Sequence, residues 1–285
     1  MCATPEGGFI LVPDTHPVEA EQRLVEVSPD MRVRRTIRDS GVYGNYFACD
    51  EHHVYATAAT VDGSCVRRYG RSTGWRNGES SVFPYWLTNL NVCGQQLFAC
   101  EAKRGLIHVF DTVSLAVRFQ IHMEHLIGEL EEFHCFSAVL VRGWWDSTTE
   151  ELVVTSRYGE GRACFHCFDT RSGRHLRTVK PEGIWEVNQM CVAHGHIFAT
   201  EFTIEGADER WSGMNPVDRG SASFAERAWQ ASRRVVVLSE RLEVLAATPP
   251  DPQVDYDSIC PRGDELVVSN DAANEVHVFH LPHLH

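Results

Sequence analysis

Asp264-Glu265-Leu266-Val267-Val268-Ser269-Asn270-Asp271-Ala272-Ala273-Asn274-Glu275-Val276-His277-Val278-Phe279 holds two short runs of aliphatic and aromatic residues around a turn of small polar ones. Runs of that length and composition read as strands, and the turn between them makes an antiparallel hairpin. The second run recurs along the chain, at residues 24–27, 65–69, 107–110, 164–168, 235–238 and 276–279. The residues that follow each copy are Ser28, Gly70, Asp111, Asp169, Ser239 and His280, spaced by 42, 41, 58, 70 and 41 residues. Three spacings are nearly equal, and the two long ones read as the same unit with loops inserted.

Each copy is preceded by a further apolar run, at residues 9–12, 54–57, 97–100, 152–155, 197–200 and 266–269. Polar turns such as Asp50-Glu51-His52-His53 and His194-Gly195-His196 lead into several of these. Ahead of the turns lie runs such as Tyr46-Phe47-Ala48-Cys49 and Met190-Cys191-Val192-Ala193. Behind several copies comes a fourth run, as in Leu115-Ala116-Val117-Arg118-Phe119 and His175-Leu176-Arg177-Thr178-Val179. Four antiparallel strands repeating about every 40 residues make the blades of a β-propeller. The expected fold is all-β: one domain over residues 1–285, six blades of four antiparallel strands, with insertions at about 122–135 and 204–233. The first unit shows no innermost strand and the last no outermost one. Residues before Gly7 can supply one of the two.

The stretch from Asp264 to Phe279 resembles an NHL repeat, in which a strand, a D-x-x-N-x turn and a strand ending V-x-V-F follow one another. The copy from Leu97 to Asp111 is similar, with Glu101 and Gly105 where that turn lies, and the other units share the hydrophobic pattern. The period is also similar to that of WD40 propellers, but the Trp145-Asp146 pair falls in a turn before a strand and not at a blade's end. The resemblance implies a propeller and leaves its function open, since one fold carries many unrelated activities.

Composition narrows the field. The 285 residues carry a net charge of −13, opposite in sign to the basic face with which proteins neutralise phosphates, so nucleic acid is not an expected partner. No apolar stretch approaches the ~18 residues of a membrane-spanning helix, so no membrane contact is expected. Met1-Cys2-Ala3-Thr4-Pro5-Glu6 has neither the basic nor the apolar region of a secretory signal. Most of the ten cysteines sit inside apolar runs, which reads as reduced thiols packed as small hydrophobes in a cytoplasmic protein.

Three groups of residues could carry chemistry. Counting back from the second strand of each unit places Asn45, Thr88 or Asn89, His134, Asn188 and Asp257 around the mouth of a central channel. Such a ring offers the oxygen donors that a hard cation takes. It loosely resembles the central metal site of gluconolactonase-like and strictosidine-synthase-like six-bladed propellers. That resemblance implies a calcium-type lactonase or hydrolase with Asn188 and Asp257 as ligands, although Asp257 is the one carboxylate in register, with Glu186 and Asp255 nearby. The second group is the insertion at 204–233, whose Trp211, Met214, Phe224 and Trp229 form a candidate binding lid; long loops in compact domains are often functional. The third, Cys164-Phe165-His166-Cys167, lacks the second ligand pair of a structural zinc site, and its two cysteines fall on opposite faces of a strand.

No G-x-S-x-G, G-x-x-x-x-G-K-[ST] or G-x-G-x-x-G occurs. The expectation is therefore a protein-interaction scaffold without cofactor, binding a protein partner through one face and its loops. The metal-dependent hydrolase is the alternative.

Overall fold

The computed structural model describes residues 2–4, 6–11, 22–30, 32–39, 42–101, 105–123, 126, 135–142, 150–158, 162–203, 232–270, 272–273 and 275–281. They form six antiparallel sheets, each a meander in which neighbours in sequence are neighbours in space. The first holds β1 (Cys2–Ala3), β2 (Phe9–Leu11), β3 (Gln22–Val27) and β4 (Val33–Asp39). The second holds β5 (Val42–Cys49), β6 (His53–Thr60), β7 (Gly63–Gly70) and β8 (Arg76–Glu79). The third holds β9 (Leu87–Cys93), β10 (Gln96–Glu101), β11 (Leu106–Asp111) and β12 (Val117–His122). The fourth holds β13 (Cys135–Arg142), β14 (Glu150–Tyr158), β15 (Arg162–Asp169) and β16 (His175–Val179). The fifth holds β17 (Glu186–Ala193), β18 (His196–Thr203), β19 (Ser232–Leu238) and β20 (Val244–Ala247). The sixth holds β21 (Tyr256–Arg262), β22 (Glu265–Asn270) and β23 (Glu275–His280).

The six recurring runs are the third strands β3, β7, β11, β15, β19 and β23, and the runs before them are the second strands. Two details concern the strands that the sequence pattern did not supply. The segment before Gly7 supplies the first sheet's innermost strand, Cys2 pairing with Ile10 and Ala3 with Phe9. The sixth sheet has three strands among the described residues, not four.

The core is divided among the junctions between sheets. Ile10 and Leu24 of the first sheet pack with Val54 and Tyr69 of the second. Tyr55 and Val66 pack with Leu97 and Phe110 of the third. Phe98 and Ile107 pack with Leu152 and Phe168 of the fourth. Phe165 and Cys167 pack with Ile197 and Val236 of the fifth, whose Phe198 and Val235 meet Ile259 and Val268 of the sixth. A last, smaller cluster joins Cys260 and Val267 of the sixth sheet to Phe9 of the first, with the Arg262 guanidinium 5.8 Å from the Phe9 ring centre. Alternation explains the arrangement: each strand sends residues to both faces, so every sheet shares one cluster with the sheet before it and one with the sheet after. The innermost strands follow suit, each touching the next, with β1 touching both β5 and β21.

Candidate functional site

The sheets have two rims. At one, the innermost strands begin and the second strands end. Glu186, at the start of β17, pairs with Phe202 near the end of β18, and Thr203 pairs with Ser232 across the 204–231 insertion. Asn188 near the start of β17 and the two ends of the long insertion, Thr203 and Ser232, therefore share a rim.

On this rim the chain before β9 is pinned by one side chain. Ser64, in β7, exchanges backbone hydrogen bonds with Phe83 at 2.8 and 2.7 Å. Its hydroxyl donates to the Tyr85 carbonyl at 2.6 Å and accepts from the Leu87 amide at 2.9 Å. A Cβ on Gly63 would lie 1.9 Å from the Phe83 carbonyl oxygen, so glycine alone lets the two segments come this close. With the backbone held, the side chains face outward: Trp86 is 51% exposed, Val82 44% and Tyr85 38%. Large aromatics on a fixed backbone lose little entropy when they are covered, which is why such residues anchor interfaces.

The roots of the insertion are also fixed. Arg233 makes a 2.6 Å ion pair with Asp255 of the sixth sheet. Arg234 reaches buried Glu201 at 2.5 Å and the Gly183 carbonyl at 2.7 Å, and the Trp185 amide donates to the same glutamate at 2.6 Å. Burial raises the Glu201 carboxyl's affinity for its proton, and Arg234 opposes that rise.

Of the channel-mouth residues, the structure brings Asn188 and Asp257 together. The Asn188 amide donates to the Asp257 Oδ1 at 2.9 Å and to its carbonyl at 3.1 Å, tying β17 to β21. Thr88 instead turns its hydroxyl to the Cys100 carbonyl of its own sheet at 3.3 Å. Asn89 takes a left-handed backbone (φ 52°) and bonds to the Thr88 hydroxyl at 3.4 Å. Asn45 lies in β5. His134, Trp211, Met214, Phe224 and Trp229 lie outside the described residues.

A calcium-type ion takes six or more oxygens; Asn188, which donates through its nitrogen, keeps its amide oxygen, and Asp257 offers its carboxylate, while Asp255 is held by Arg233. Among the described residues no three His, Cys, Asp or Glu side chains converge on a point. The Cys164–Cys167 segment is unsuited to zinc. Burial pushes the Cys167 thiol up to about 12 and that of Cys164 upward too, away from the thiolate that a metal needs.

His166 belongs to a structural set that the sequence reading passed over. Its Nε2 lies 2.9 Å from the Ser156 hydroxyl and its Nδ1 3.0 Å from that of Thr178, so one ring bridges β14 and β16. In the third sheet His108 does the same, 2.6 Å from Glu101 and 3.0 Å from Gln120. Burial lowers the His166 pKa to about 4, leaving a neutral ring. The signal was present as His-x-Phe inside three of the recurring third-strand runs, at His108, His166 and His277. A second unforeseen group is Arg71, buried between the first two sheets with Glu6 at 2.6 Å and Glu26 at 2.7 Å. The histidines join strands within one sheet, and Arg71 joins the first sheet to the second.

No family model and no curated protein matches the chain in sequence. Solved structures match it in shape. It is similar to a hydrazine synthase chain of Kuenenia stuttgartiensis at TM-score 0.59 and 14% identity, over 98% of this chain and 94% of that one. The WD40 β-propeller domain of Doa1 matches at TM-score 0.55 and 14% identity, over 99% of this chain and 78% of that one. A chain of the mitotic checkpoint complex matches at 0.54 and 12%, over 92% and 70%. Identities this low speak for the architecture alone, and the architecture they support is a β-propeller.

Proposed function

We propose that the chain is a six-bladed propeller, its ring closed where β1 meets β21, that works as a protein-interaction scaffold. The binding surface is the rim where the innermost strands begin. The observation that carries this reading is the pair Tyr85-Trp86, exposed on a backbone that Ser64 fixes. Asn188 and Asp257 border the channel on the same rim. The reading assigns further partner contacts to Trp211, Met214, Phe224 and Trp229 of the insertion, beside which Arg233 and Arg234 make their ion pairs.

The test is the double variant Tyr85→Ala/Trp86→Ala, compared with the wild type by proximity labelling in cells and by thermal unfolding. The expected result is loss of the partners that the wild type labels, each weakened at least about tenfold, as for the loss of interface anchors, with an unchanged melting temperature. Unchanged labelling would overturn the assignment of this rim, and a fall in melting temperature would make the two side chains structural.

A further inference from the structure

The rim opposite Tyr85-Trp86 carries a second aromatic on a fixed backbone. β7 serves both: Ser64 near its start pins Tyr85, and Gly70 at its end closes the turn that presents Trp75. The Gly70 amide donates to the Trp75 carbonyl at 3.0 Å, and the Gly74 amide donates to the Gly70 carbonyl at 2.7 Å. The Thr73 hydroxyl accepts from the Trp75 amide at 3.2 Å. Within this closed turn the Trp75 side chain is 78% exposed, more than Trp86. The turn borders the first sheet. A Cβ on Gly74 would lie 3.4 Å from Cδ of Arg35 and 3.8 Å from Cγ1 of Ile37, both in β4.

β4 is the outer strand of its sheet, and its charge runs against that of the chain. Residues 32–38 read Arg-Val-Arg-Arg-Thr-Ile-Arg, four arginines and no acid, where the whole chain has 39 acids against 26 lysines and arginines. Arg34, Thr36 and Arg38 are exposed, and Arg35 is half-buried. Outer strands carry charge to keep their edges from pairing. A single arginine serves that end in β12 and in β16, where Arg118 and Arg177 meet carboxylates of their own sheets at 2.5 and 2.7 Å. Edge protection accounts neither for four arginines in β4 and the residue before it nor for an exposed tryptophan in the adjoining turn. Arginine and tryptophan are the side chains that anchor interfaces, and the guanidinium fork matches a carboxylate. Charge complementarity names the occupant. The chain's net charge of −13 repels a long polyanion. A short acidic segment feels mainly the charges within a Debye length of about 8–10 Å, and along β4 those are arginines.

We infer that β4 and the Trp75 turn bind an acidic segment of a partner protein, its carboxylates paired with Arg34 and Arg38 and an apolar side chain laid on Trp75. Electrostatic complementarity steers the segment to this surface and selects it. The surface lies apart from the Tyr85-Trp86 rim and does not depend on it.

The probe is a fluorescent peptide of sequence Glu-Glu-Phe-Glu-Glu-Glu, titrated with the full chain and read by anisotropy. The expected result is saturable binding with a Kd below ~1 mM, weakened at least about threefold when salt rises from about 50 to about 200 mM. Arg34→Gln/Arg38→Gln should weaken it at least about tenfold, and Trp75→Ala by a similar factor, both at an unchanged melting temperature. Tyr85→Ala/Trp86→Ala should leave peptide binding unchanged, which separates failure of this proposal from failure of the rim assignment. Absence of saturable binding overturns the proposal, and so does equal binding by the Arg34→Gln/Arg38→Gln protein. Tighter binding of hexathymidylate than of the peptide also overturns it, because the surface would then serve nucleic acid.

Discussion

At the scale of single residues, the buried histidines and arginine explain how six small sheets tolerate polar groups in their interiors. A polar atom cut off from water must find a partner or cost about 1–3 kcal/mol. His166 finds one on each side, Ser156 and Thr178. Its pKa, lowered by burial to about 4, fixes the direction of a pH effect. The unfolded chain's histidine takes up a proton near its ordinary value of ~6.5 while the folded ring stays neutral, so stability is fully present above that value. It declines as pH falls from about 6.5 towards 4. His166→Gln should lose about 1–3 kcal/mol at pH 7 and show a flatter decline through that window in denaturant unfolding. An unchanged pH slope would assign the decline to other groups. None of these partners could be read from the sequence. His166 was visible only inside Cys164-Phe165-His166-Cys167, where neighbouring cysteines suggest metal, and Ser156 and Thr178 lie on other strands. His-x-Phe recurs in three third strands but also at His134 and His196, so the pattern alone shows neither which copy is buried nor what it touches.

At the scale of elements, third strands such as β11 and β15 were the most legible parts, because both their faces are buried and they read as continuous apolar runs. The fourth strands were harder. Leu115 reads as the first residue of a strand, yet it ends the turn before β12 with φ 56°. The turn itself recurs. In Asp111-Thr112-Val113-Ser114 the Asp111 Oδ1 accepts from the amides of Val113 and Ser114 at 3.0 and 2.8 Å. In Asp169-Thr170-Arg171-Ser172 the same atom of Asp169 accepts from Arg171 and Ser172 at 3.1 and 2.7 Å. The next residue is left-handed in both, Leu115 in one and Gly173 in the other (φ 69°). A Cβ on Gly173 would stand 2.8 Å from the Phe119 ring of the neighbouring sheet. Gly173→Ala therefore combines an unfavourable backbone with a clash, and should cost about 1–3 kcal/mol in chemical denaturation. Indistinguishable stability would mean that Phe119 swings aside and the turn relaxes at no cost.

At the scale of the molecule, the period alone gave sheet number and order, because each sheet repeats one pattern of buried positions. The junctions were not legible. Which face of each sheet meets which neighbour depends on contacts between residues far apart in the chain, and Phe9 with Val267 is the extreme case. Of the rim residues singled out from the sequence, Asn188 and Asp257 are joined by a hydrogen bond that spacing alone does not specify, and the clamp at Ser64 had no sequence signal beyond an ordinary serine. The proposed closure of the ring gives its own prediction. Phe9 is buried in the smallest of the six clusters, so Phe9→Ala should remove most of that junction and cost about 3–5 kcal/mol. Limited proteolysis should then cut first near the first or last sheet. Cleavage elsewhere, or no loss of stability, would mean that the ring does not depend on this contact.

The Phe9–Cys260–Val267 cluster also sets a timetable for synthesis. Phe9 leaves the ribosome early, and the residues that cover it follow some 250 positions later. At ~5–20 residues per second the wait is roughly 10–50 s. Throughout it the first sheet has one face packed on the second and the other open to water, so a nascent chain of this protein carries an adhesive flank until its final hairpin arrives. Its yield in the cell should depend on translation speed, and on chaperones that shield that flank, more steeply than its final stability would suggest.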